Sequence, residues 1–567
     1  MHGRRRCAAR PIPPRPPPGG GRGRPRRARA RPRKLRRFVS HHGGGLAQRA
    51  EIPRLDSRGG AGGVLRPGAG RSRPRPRWRH RALRKPANHS SATCRRRSSV
   101  QNPPVLAKSA AFAALPPPWA EDPRPAIRTA AVDRTLVVLD DDPTGTQTVH
   151  DVAVVTRWDE STLAAELARR PACFYVLTNS RSLSAPAARA LNLELAHHLR
   201  AASARTNRDF VLVSRSDSTL RGHFPLETDA LAEVCGPFAA TFVFPYFEAG
   251  GRFTLGDVHY VAEGDALVPA GETPFARDAV FGYHHSHLRA WVEEKTAGRV
   301  RAAEVAALSL DDLRRAGPAE VARRLQEFPA GTICVVNACA PRDAEVFALA
   351  TLLAENAGRR YLYRTAASFV AARLGLESRP PLSAAELASE KQTGGLVVVG
   401  SYVPKTTAQL AHLRAARQLH PVELPVDALL ASSRREIPLG AAQDLDRALA
   451  AGRDAVLFTS RTLVTGPDAA ANLAIGRLIS DALVAVVRQL QTPPRFLVAK
   501  GGITSSDVAT LGLGVQRALV RGQILPGVPV WRLGPETRFP GLDYVVFPGN
   551  VGGDTALADA VAKLSAG

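Results

Sequence analysis

The chain lacks several features that would assign it to a familiar class. Its 567 residues include six cysteines but no CxxC pair, and no apolar run approaches the roughly 18 residues of a membrane-spanning helix. Its glycine-rich turns match neither the Walker A pattern nor the dinucleotide-binding GxGxxG pattern. These absences exclude a disulfide scaffold and predict a soluble cytoplasmic protein with buried thiols and no membrane partner.

Acidic residues are almost absent from the N-terminal fifth of the chain. Residues 1–130 carry 33 Lys/Arg and 4 Asp/Glu, whereas the other residues carry 45 and 46, so the net charge of +28 comes entirely from this segment. The segment is rich in Arg, Pro and Gly and has almost no hydrophobic periodicity, which predicts a disordered low-complexity region over 1–130. Because the remainder is near neutral, we do not expect it to bind nucleic acid.

Three interpretations of this basic segment remain open. Dense arginine binds polyphosphate regardless of sequence, so a nucleic-acid-binding tail is the first. An organelle transit region is the second, because Arg and Ser are abundant and acids are scarce, although the prolines oppose an amphipathic helix. The third, which we favour, is translation upstream of the true start of a GC-rich gene, as the excess of Ala, Arg, Pro and Gly and the absence of Met after Met1 indicate.

From residue 131 onward, short β-rich apolar runs alternate with Ala/Leu-rich stretches such as 161–170 and 185–203, which predict helices. Continuous apolar strands separated by helices are typical of mostly parallel sheets with both faces covered. The strand candidates are 135–139, 173–178, 210–214, 241–245, 332–337, 395–400, 455–460, 495–501 and 543–549.

A polar stretch without a strand candidate, near 376–394, interrupts this alternation. It divides the body into two predicted α/β domains, 131–385 and 390–567. A cleft between them is the expected ligand site, because open α/β sheets bind ligands beyond the carboxyl ends of their strands.

Polar clusters follow three strand candidates of the first domain. The sequence DDDPTGTQT (140–148) follows the first, NSRSLS (179–184) the second, and RSDSTLRGH (215–223) the third. Carboxylates accept hydrogen bonds from sugar hydroxyls, and arginine binds a carboxylate through two parallel hydrogen bonds. The clusters therefore predict a site for a small polyhydroxylated anion, although the Ser and Thr of the third cluster could instead cap a helix.

Glycine-rich or small-residue turns follow the strand candidates of the second domain. They include SYVPKTT (401–407), GGITSSD (501–507) and GNVGGDTA (549–556). Glycines let backbone N–H groups approach phosphates closely, and a following helix N-terminus completes an anion site. Several such turns in one domain predict a nucleotide site.

Two further segments lie between these sets of motifs. GGRFTLGD (250–257) predicts a glycine-rich hairpin or lid at the cleft. The histidines His284, His285 and His287 have no nearby acid or cysteine pattern, so we expect a loop there rather than a metal site.

Together, LDDDPTGTQTV, SRSDSTLRGH, GGRFTLGDVHYV, GSYVPKT, KGGITSSDVA and FPGNVGGDTALADAV resemble the motifs of the four-carbon acid sugar kinases, in the same order over about residues 133–563. Members of this family phosphorylate threonate, erythronate or oxo-tetronate with ATP. The resemblance implies an acid-sugar-binding domain over 131–385, a nucleotide-binding domain over 390–567, and ATP and Mg²⁺ as cofactors. It also implies that a terminal hydroxyl of the acid sugar accepts the phosphate.

The resemblance carries over to individual residues. It points to Asp141, Asp217 and Arg221 at the substrate end, and we take Asp141 and Asp217 as candidates for the catalytic base. The neighbouring substrate-binding candidates are Asp140, Asn179, Arg215, Ser218 and Thr219. The implied ATP contacts are Ser401, Gly501, Gly502, Ile503, Thr504, Gly549 and Gly552.

The sequence departs from the family pattern at two positions. Arg215 stands where many members have lysine, which keeps the charge but changes its geometry and leaves the substrate's identity open. Ile503 stands where many members have an acid. If that acid helps to bind a metal, another residue must replace it, and Asp507 and Asp554 are the candidates.

A second class of function also fits these motifs. A binding or regulatory protein could keep the fold and both sites without turnover, although intact polar clusters at both sites favour the kinase. The sequence does not identify the acid sugar, and it is compatible with a homodimer.

Overall fold

The structure, a computed structural model, describes residues 103–131, 133–431, 436–462, 464–467, 469–549 and 551–566. Residues 1–102, which include most of the predicted disordered segment, lie outside the described residues. No helix within these ranges is long and apolar enough to cross a membrane.

The described strands alternate with helices along most of the chain. The strands are β1 (Leu106–Ala107), β2 (Arg134–Asp140), β3 (Val152–Val155), β4 (Cys173–Leu177), β5 (Asp209–Arg215), β6 (Ala240–Phe244), β7 (Arg252–Leu255), β8 (Val258–Glu263), β9 (Ala266–Pro269), β10 (Ala306–Leu308), β11 (Thr332–Val336), β12 (Tyr361–Thr365), β13 (Leu396–Val399), β14 (His420–Leu424), β15 (Ala455–Thr459), β16 (Leu497–Lys500), β17 (Arg517–Leu525), β18 (Val528–Leu533) and β19 (Asp543–Phe547).

The helices cover the faces of the sheet. They are α1 (Lys108–Ala113), α2 (Arg124–Ala130), α3 (Glu160–Ala168), α4 (Ala185–Thr206), α5 (Leu226–Cys235), α6 (Leu288–Lys295), α7 (Gly317–Gln326), α8 (Pro341–Asn356), α9 (Ala367–Arg373), α10 (Ala384–Leu387), α11 (Pro404–Ala416), α12 (Val426–Ala431), α13 (Glu436–Ala450), α14 (Ala469–Gln489), α15 (Gly502–Asp507) and α16 (Ala556–Ser565).

A single sheet of 15 strands runs through both predicted domains, in the order β10-β11-β6-β12-β5-β2-β4-β3-β17-β18-β19-β16-β13-β15-β14. The first eight strands in this order are parallel to one another, and β19, β16, β13, β15 and β14 form a second parallel set. All strand candidates are present, which confirms a mostly parallel α/β fold. Their interiors are buried on both faces, and this explains their continuous apolar runs.

The two parallel sets are joined through β3 and the hairpin of β17 and β18. Strand β17 pairs antiparallel with β3, with register partners from Arg517↔Val155 to Val520↔Val152. We expected separate sheets and placed no strand at β3 or β17. In β17, buried side chains alternate with half-buried or exposed ones, so its sequence has no continuous apolar run that would indicate a strand.

The predicted disordered segment extends too far toward the body. Residues 103–130 form β1, α1 and α2, and β1 pairs with β9 in a small sheet of order β1-β9-β8-β7. Ile127 on α2 is completely buried, and Phe112 stacks edge-on against Phe253. These few apolar contacts fix the segment on the body, although its composition resembles that of the preceding residues.

The structure places a hairpin and a loop at the two segments between the motifs. Strands β7 and β8 form an antiparallel hairpin over the GGRFTLGD motif, which confirms the predicted hairpin. His284 and His285 lie in the loop before α6, and His287 directly precedes that helix. Among the described residues, no group of three or more His, Cys, Asp and Glu side chains is arranged to hold a metal ion.

If α2 belongs to the folded body, Ile127→Ala lowers the free energy of unfolding. We expect a loss of about 2–5 kcal/mol, because the substitution leaves a cavity at a fully buried site. Chemical denaturation measures the loss, with Thr129→Ala on the exposed side of the same helix as the control. Equal losses in the two variants would contradict the packing of α2.

Candidate active site

The three aspartates after β2 begin the site. Asp140 is 2 % exposed and lies 3.0 Å from the Arg215 guanidinium, measured from Oδ1 to Nη1. Burial raises the pKa of Asp140 to about 7, although Arg215 opposes this shift. The backbone of Gly145 packs directly against the Asp140 carboxylate, because a Cβ atom at Gly145 would overlap it. Asp140 and Arg215 therefore form a buried structural pair beneath the site.

Asp141 is buried beside this pair and has one unsatisfied oxygen. Its Oδ2 accepts a hydrogen bond from Ser216 Oγ, whereas Oδ1 is buried without a hydrogen-bond partner. Arg181 Nη2 lies 3.4 Å from Oδ1, within ion-pair distance. A buried carboxylate oxygen without a hydrogen bond costs free energy, so this atom is available to a ligand.

Arg181 connects three of the acids, and we did not predict it. Besides Asp141, its guanidinium lies 2.8 Å from Asp142 and 3.5 Å from Asp217. The signal was present in the NSRSLS cluster, from which we selected Asn179. The Asn179 backbone has a positive φ of 52°, and its N–H donates to the carbonyl oxygen of Asp140 at 3.3 Å, so Asn179 shapes the turn that carries Arg181.

Asp217 is hydrogen-bonded by residues of its own loop. Its carboxylate accepts hydrogen bonds from Arg221 Nε at 2.7 Å and from Thr219 Oγ1. Burial alone would raise the pKa of Asp217, but Arg181 and Arg221 hold it well below its usual range. Next to it, the Ser218 carbonyl oxygen lies 2.7 Å from Nε2 of the buried His259. The Asp217 carboxylate is therefore held by its own loop and strongly ionised.

Arg221 and Arg252 share one aromatic ring. Their guanidinium carbons lie 5.1 Å and 5.5 Å from the centre of the Phe275 ring. Arg221 pairs with Asp217 and Asp278, whereas Arg252 has no ion-pair partner among the described residues, and its Nε is buried without a hydrogen-bond partner. Burial lowers the pKa of Arg252, as it does for the buried Arg364 nearby. Arg252 Nη1 donates to the Gly250 carbonyl oxygen, so the guanidinium is positioned by backbone and not by an acid. Such a cationic pair, one member of which has no ion pair, is suited to an anion.

The glycine-rich turns of the second half converge at the carboxyl ends of β13, β16 and β19. Gly501 has a φ of +117°, and a Cβ atom there would lie 3.0 Å from Ser401 Cβ and 3.4 Å from Thr504 Oγ1. Thr406 Oγ1 donates to the Gly549 carbonyl oxygen at 2.9 Å. The predicted residues Ser401, Gly501, Thr504 and Gly549 therefore lie together around one point.

The other predicted nucleotide contacts lie around this centre. Gln409 Nε2 donates to the carbonyl oxygens of Val551 and Gly553, at 3.0 Å and 2.8 Å, and so fixes the turn that contains Gly552. Ile503 is 61 % exposed on the first turn of α15, next to the half-buried Gly502. An exposed apolar side chain at the rim of a site is available to a bound molecule.

Two cations near these turns were missed by sequence reasoning. Lys500 is completely buried; its Nζ donates to the carbonyl oxygens of Pro548 at 2.5 Å and Gly549 at 3.1 Å, and it lies 4.2 Å from the centre of the Phe547 ring. Burial, with repulsion from Lys405, lowers its pKa to about 7. No carboxylate among the described residues forms an ion pair with Lys500. The lysine of KGGITSSDVA was the available signal.

Arg461 is the second missed cation. Its Nη2 donates to the Ser401 carbonyl oxygen at 2.7 Å and to Thr407 Oγ1 at 2.8 Å. Its Nε and Nη1 are buried and have no hydrogen-bond partner among the described residues, and burial lowers its pKa. Two buried cations without acidic partners beside glycine-rich turns fit a polyphosphate.

The aspartate loop brings the two halves of the site together. A Cβ atom at Gly502 would lie 3.1 Å from Asp142 Oδ2, so this carboxylate faces the Gly501–Gly502 turn. Farther along the same loop, Thr146 Oγ1 accepts a hydrogen bond of 3.0 Å from Trp531 Nε1 on β18. The loop therefore carries acids of the first half to the turns of the second.

The two metal-ligand candidates lie apart from each other. Asp507 ends α15 and hydrogen-bonds to Ser480 Oγ on α14, whereas Asp554 is exposed in the turn before α16. Asp142 is the carboxylate that faces the glycine turn directly.

Two family models match consecutive parts of the chain. The model of a sugar-binding N-terminal domain matches residues 136–373, and that of a nucleotide-binding C-terminal domain matches residues 396–557. Together the two matches cover most of the chain. The chain belongs to the four-carbon acid sugar kinase family, whose motifs its sequence resembles.

Individual relatives are more distant. A D-threonate kinase of Bordetella bronchiseptica is 33 % identical over 191 residues, which are 34 % of this chain, and the match spans 41 % of that kinase. A Salmonella typhimurium LT2 structure described as a tRNA synthase is similar with a TM-score of 0.55 at 18 % identity, over 75 % of this chain and 98 % of that one. A Haemophilus influenzae structure gives 0.50 at 18 % identity, over 76 % and 100 %. These two likenesses show the fold alone.

The buried Lys500 predicts a pH-dependent stability. The pKa of its ammonium group is about 7 in the folded chain and about 10.5 when the chain is unfolded, so the unfolded state binds more protons between these values. The cost of burying the charge is complete below pH 7 and is relieved as the pH rises. Relative to Lys500→Met, we expect the wild type to gain about 1–2 kcal/mol of unfolding free energy from pH 7 to pH 9. Urea denaturation measures this gain, and parallel curves for the two proteins would contradict it.

Proposed function

We propose that this protein is a kinase that transfers the γ-phosphate of ATP to a terminal hydroxyl of a four-carbon acid sugar. The observation that carries the proposal is the approach of Asp142 to the Gly501–Gly502 turn. It brings a cluster of acids and arginines, suited to a polyhydroxylated anion, next to turns suited to phosphate. Phosphoryl transfer depends mainly on such positioning and on charge neutralisation.

The carboxylate of the acid sugar binds to Arg252 and Arg221 in this proposal. Arg252 is the better candidate, because it has a buried Nε without a partner and no acid of its own among the described residues. Arg215, which we also considered from the sequence, is held by Asp140. The hydroxyls of the substrate then extend from Phe275 toward the aspartates.

Asp141 is the base that we favour. Its Oδ1 has no hydrogen-bond partner among the described residues, whereas Oδ2 of Asp217 accepts hydrogen bonds from both Arg221 and Thr219. Asp217 is a weaker base because Arg181 and Arg221 hold its pKa low. Asp141 would accept the proton of the attacking substrate hydroxyl. The hydroxyl oxygen then bonds to the γ-phosphorus, and the bond between this phosphorus and the bridging oxygen of ADP breaks.

The triphosphate lies on the turns around Ser401, Gly501 and Gly549, with Lys500 and Arg461 as its cationic partners. Mg²⁺ would neutralise phosphate charge, and hard carboxylate oxygens are the ligands it prefers. Asp142, which also pairs with Arg181, fits this role by its position facing the turn, whereas Asp507 accepts a hydrogen bond from Ser480 on α14. A non-catalytic binding protein remains the second candidate, and turnover decides between the two.

Asp141→Asn tests the base. We expect kcat to fall by about 10²–10⁴-fold while ADP binding is kept, because the amide cannot accept the proton but retains the shape of the side chain. Steady-state kinetics with threonate, erythronate and oxo-tetronate stereoisomers and calorimetric ADP titration give the two values. Asp217→Asn is the comparison, with its main effect on KM for the acid. Full activity of Asp141→Asn would overturn the assignment, and absence of ATP consumption by the wild type with all of these acids would favour the binding protein.

Arg252→Ala tests the carboxylate site. We expect KM for the acid sugar to rise about 10- to 100-fold, because a charged hydrogen bond is lost, whereas kcat/KM for the neutral polyol of the same carbon chain stays unchanged. Arg277→Ala, which removes an exposed arginine two residues after Phe275, is the control for loss of charge. An equal effect of Arg252→Ala on acid and polyol would exclude a role in binding the carboxylate.

A further inference from the structure

A cationic cavity lies at the amino ends of β2 and β5, at the opposite edge of the parallel strands from the candidate active site. It has a volume of about 290 Å³ and opens beside the first residues of β2 and β5. Its arginines come from α2, α9, the start of β2 and two loops: Arg128, Arg134, Arg170, Arg208 and Arg373. Strand β2 separates it from Asp140 by its own length of about 20 Å. No part of the proposed kinase site reaches it.

The positive charges in this cavity exceed the negative ones. Asp133 is shared by Arg170 and Arg208, at 3.3 Å and 2.8 Å. Asp209 lies 3.2 Å from Arg134, and the carboxylate of Glu355 pairs with Arg373. Arg128 donates to a backbone carbonyl and has no ion pair among the described residues. Of these acids only Glu355 lines the cavity. When Asp133 and Asp209 are counted as well, the five arginines have three carboxylate partners among the described residues, which leaves an excess of two positive charges.

Part of this charge is held away from water. Arg208 and Arg373 are each 6 % exposed, and the Nε of Arg373 is buried without a hydrogen-bond partner. By contrast, the side chains of Asp133 and Asp209 are 76 % and 61 % exposed, so solvent screens their contribution. Arg208 and Arg373 have the acidic partners Asp133 and Glu355, but Asp133 is shared with Arg170 and exposed to solvent. An anion that enters the cavity would add a partner for these guanidinium groups and offset part of the cost of burying them.

The cavity also has an apolar wall, formed by Leu136, Val211, Leu352 and Leu374. We propose that it binds a phosphate dianion, either free or as the monoester of a small carbon compound. A phosphate group carries close to two negative charges at neutral pH, which matches the excess. Arginine binds its oxygens through paired N–H groups, and the apolar wall provides a surface for the carbon part of a monoester.

The double variant Arg134→Ala/Arg170→Ala tests this site. Both side chains are partly exposed, at 31 % and 55 %, so their loss leaves the buried pairs in place. The probes are inorganic phosphate and glycerol 3-phosphate, titrated calorimetrically into the full chain at constant ionic strength with chloride as the reference anion. We expect at least a tenfold loss of affinity in the double variant. The full chain is used throughout, so any binding by the arginines of residues 1–102 is common to all the proteins.

Four further variants make the result specific. Arg169→Ala/Arg189→Ala removes the same charge from exposed positions outside the cavity and should bind as the wild type does. Arg252→Ala should keep this phosphate binding, so failure of the kinase proposal would not remove it. Arg170→Glu should bind more weakly than Arg170→Ala, because it reverses the charge, and it covers the case in which the double variant does not fold.

Tighter binding of glycerol 3-phosphate than of phosphate would identify a monoester site, and equal affinities would identify a site for the phosphate group alone. No binding above the chloride reference would overturn the proposal. Wild-type affinity in the double variant would also overturn it.

Discussion

The rest of the site depends on the buried charges at the carboxyl ends of β2, β4 and β5. Asp140, Asp141 and Asp142 follow one another at the end of β2, and such adjacent carboxylates are stable only when cations lie close by. Arg215 on β5 and Arg181 after β4 supply those cations. Because the three strands are neighbours in a parallel sheet, their loops must meet, and the acids fix the positions of both arginines.

The same loop joins the sugar-binding and nucleotide-binding parts. Beyond the acids it turns through Thr146, which accepts a hydrogen bond from Trp531, while β3 pairs with β17. Backbone pairing across this junction makes one sheet of the two parallel sets. The distance between Asp142 and the glycine turns is therefore set by the fold of the whole body as well as by local sequence.

Much of the fold could be predicted, and the failures have a common cause. Strands buried on both faces have continuous apolar sequences, and the candidates at 135–139 and 543–549 match β2 and β19 within two residues at each end. Strand β17 alternates buried with more exposed residues, and α2 follows a segment of disordered composition. Such elements become stable only through contacts with residues distant in sequence; α2, for example, is held by the packing of Ile127 against the core. Local sequence patterns therefore could not indicate them.

The sequence by itself determined the class of fold, the family and the kind of chemistry at each strand end, because these depend on apolar periodicity and on motifs that are local in the chain. Only the tertiary structure decided which charges are already paired and which are free. Arg215 forms an ion pair with Asp140, whereas Arg252 and Arg461 have no ion pair among the described residues. Residues of one type differ in this way because burial and neighbouring groups, which come from distant parts of the chain, set the energy of each charge.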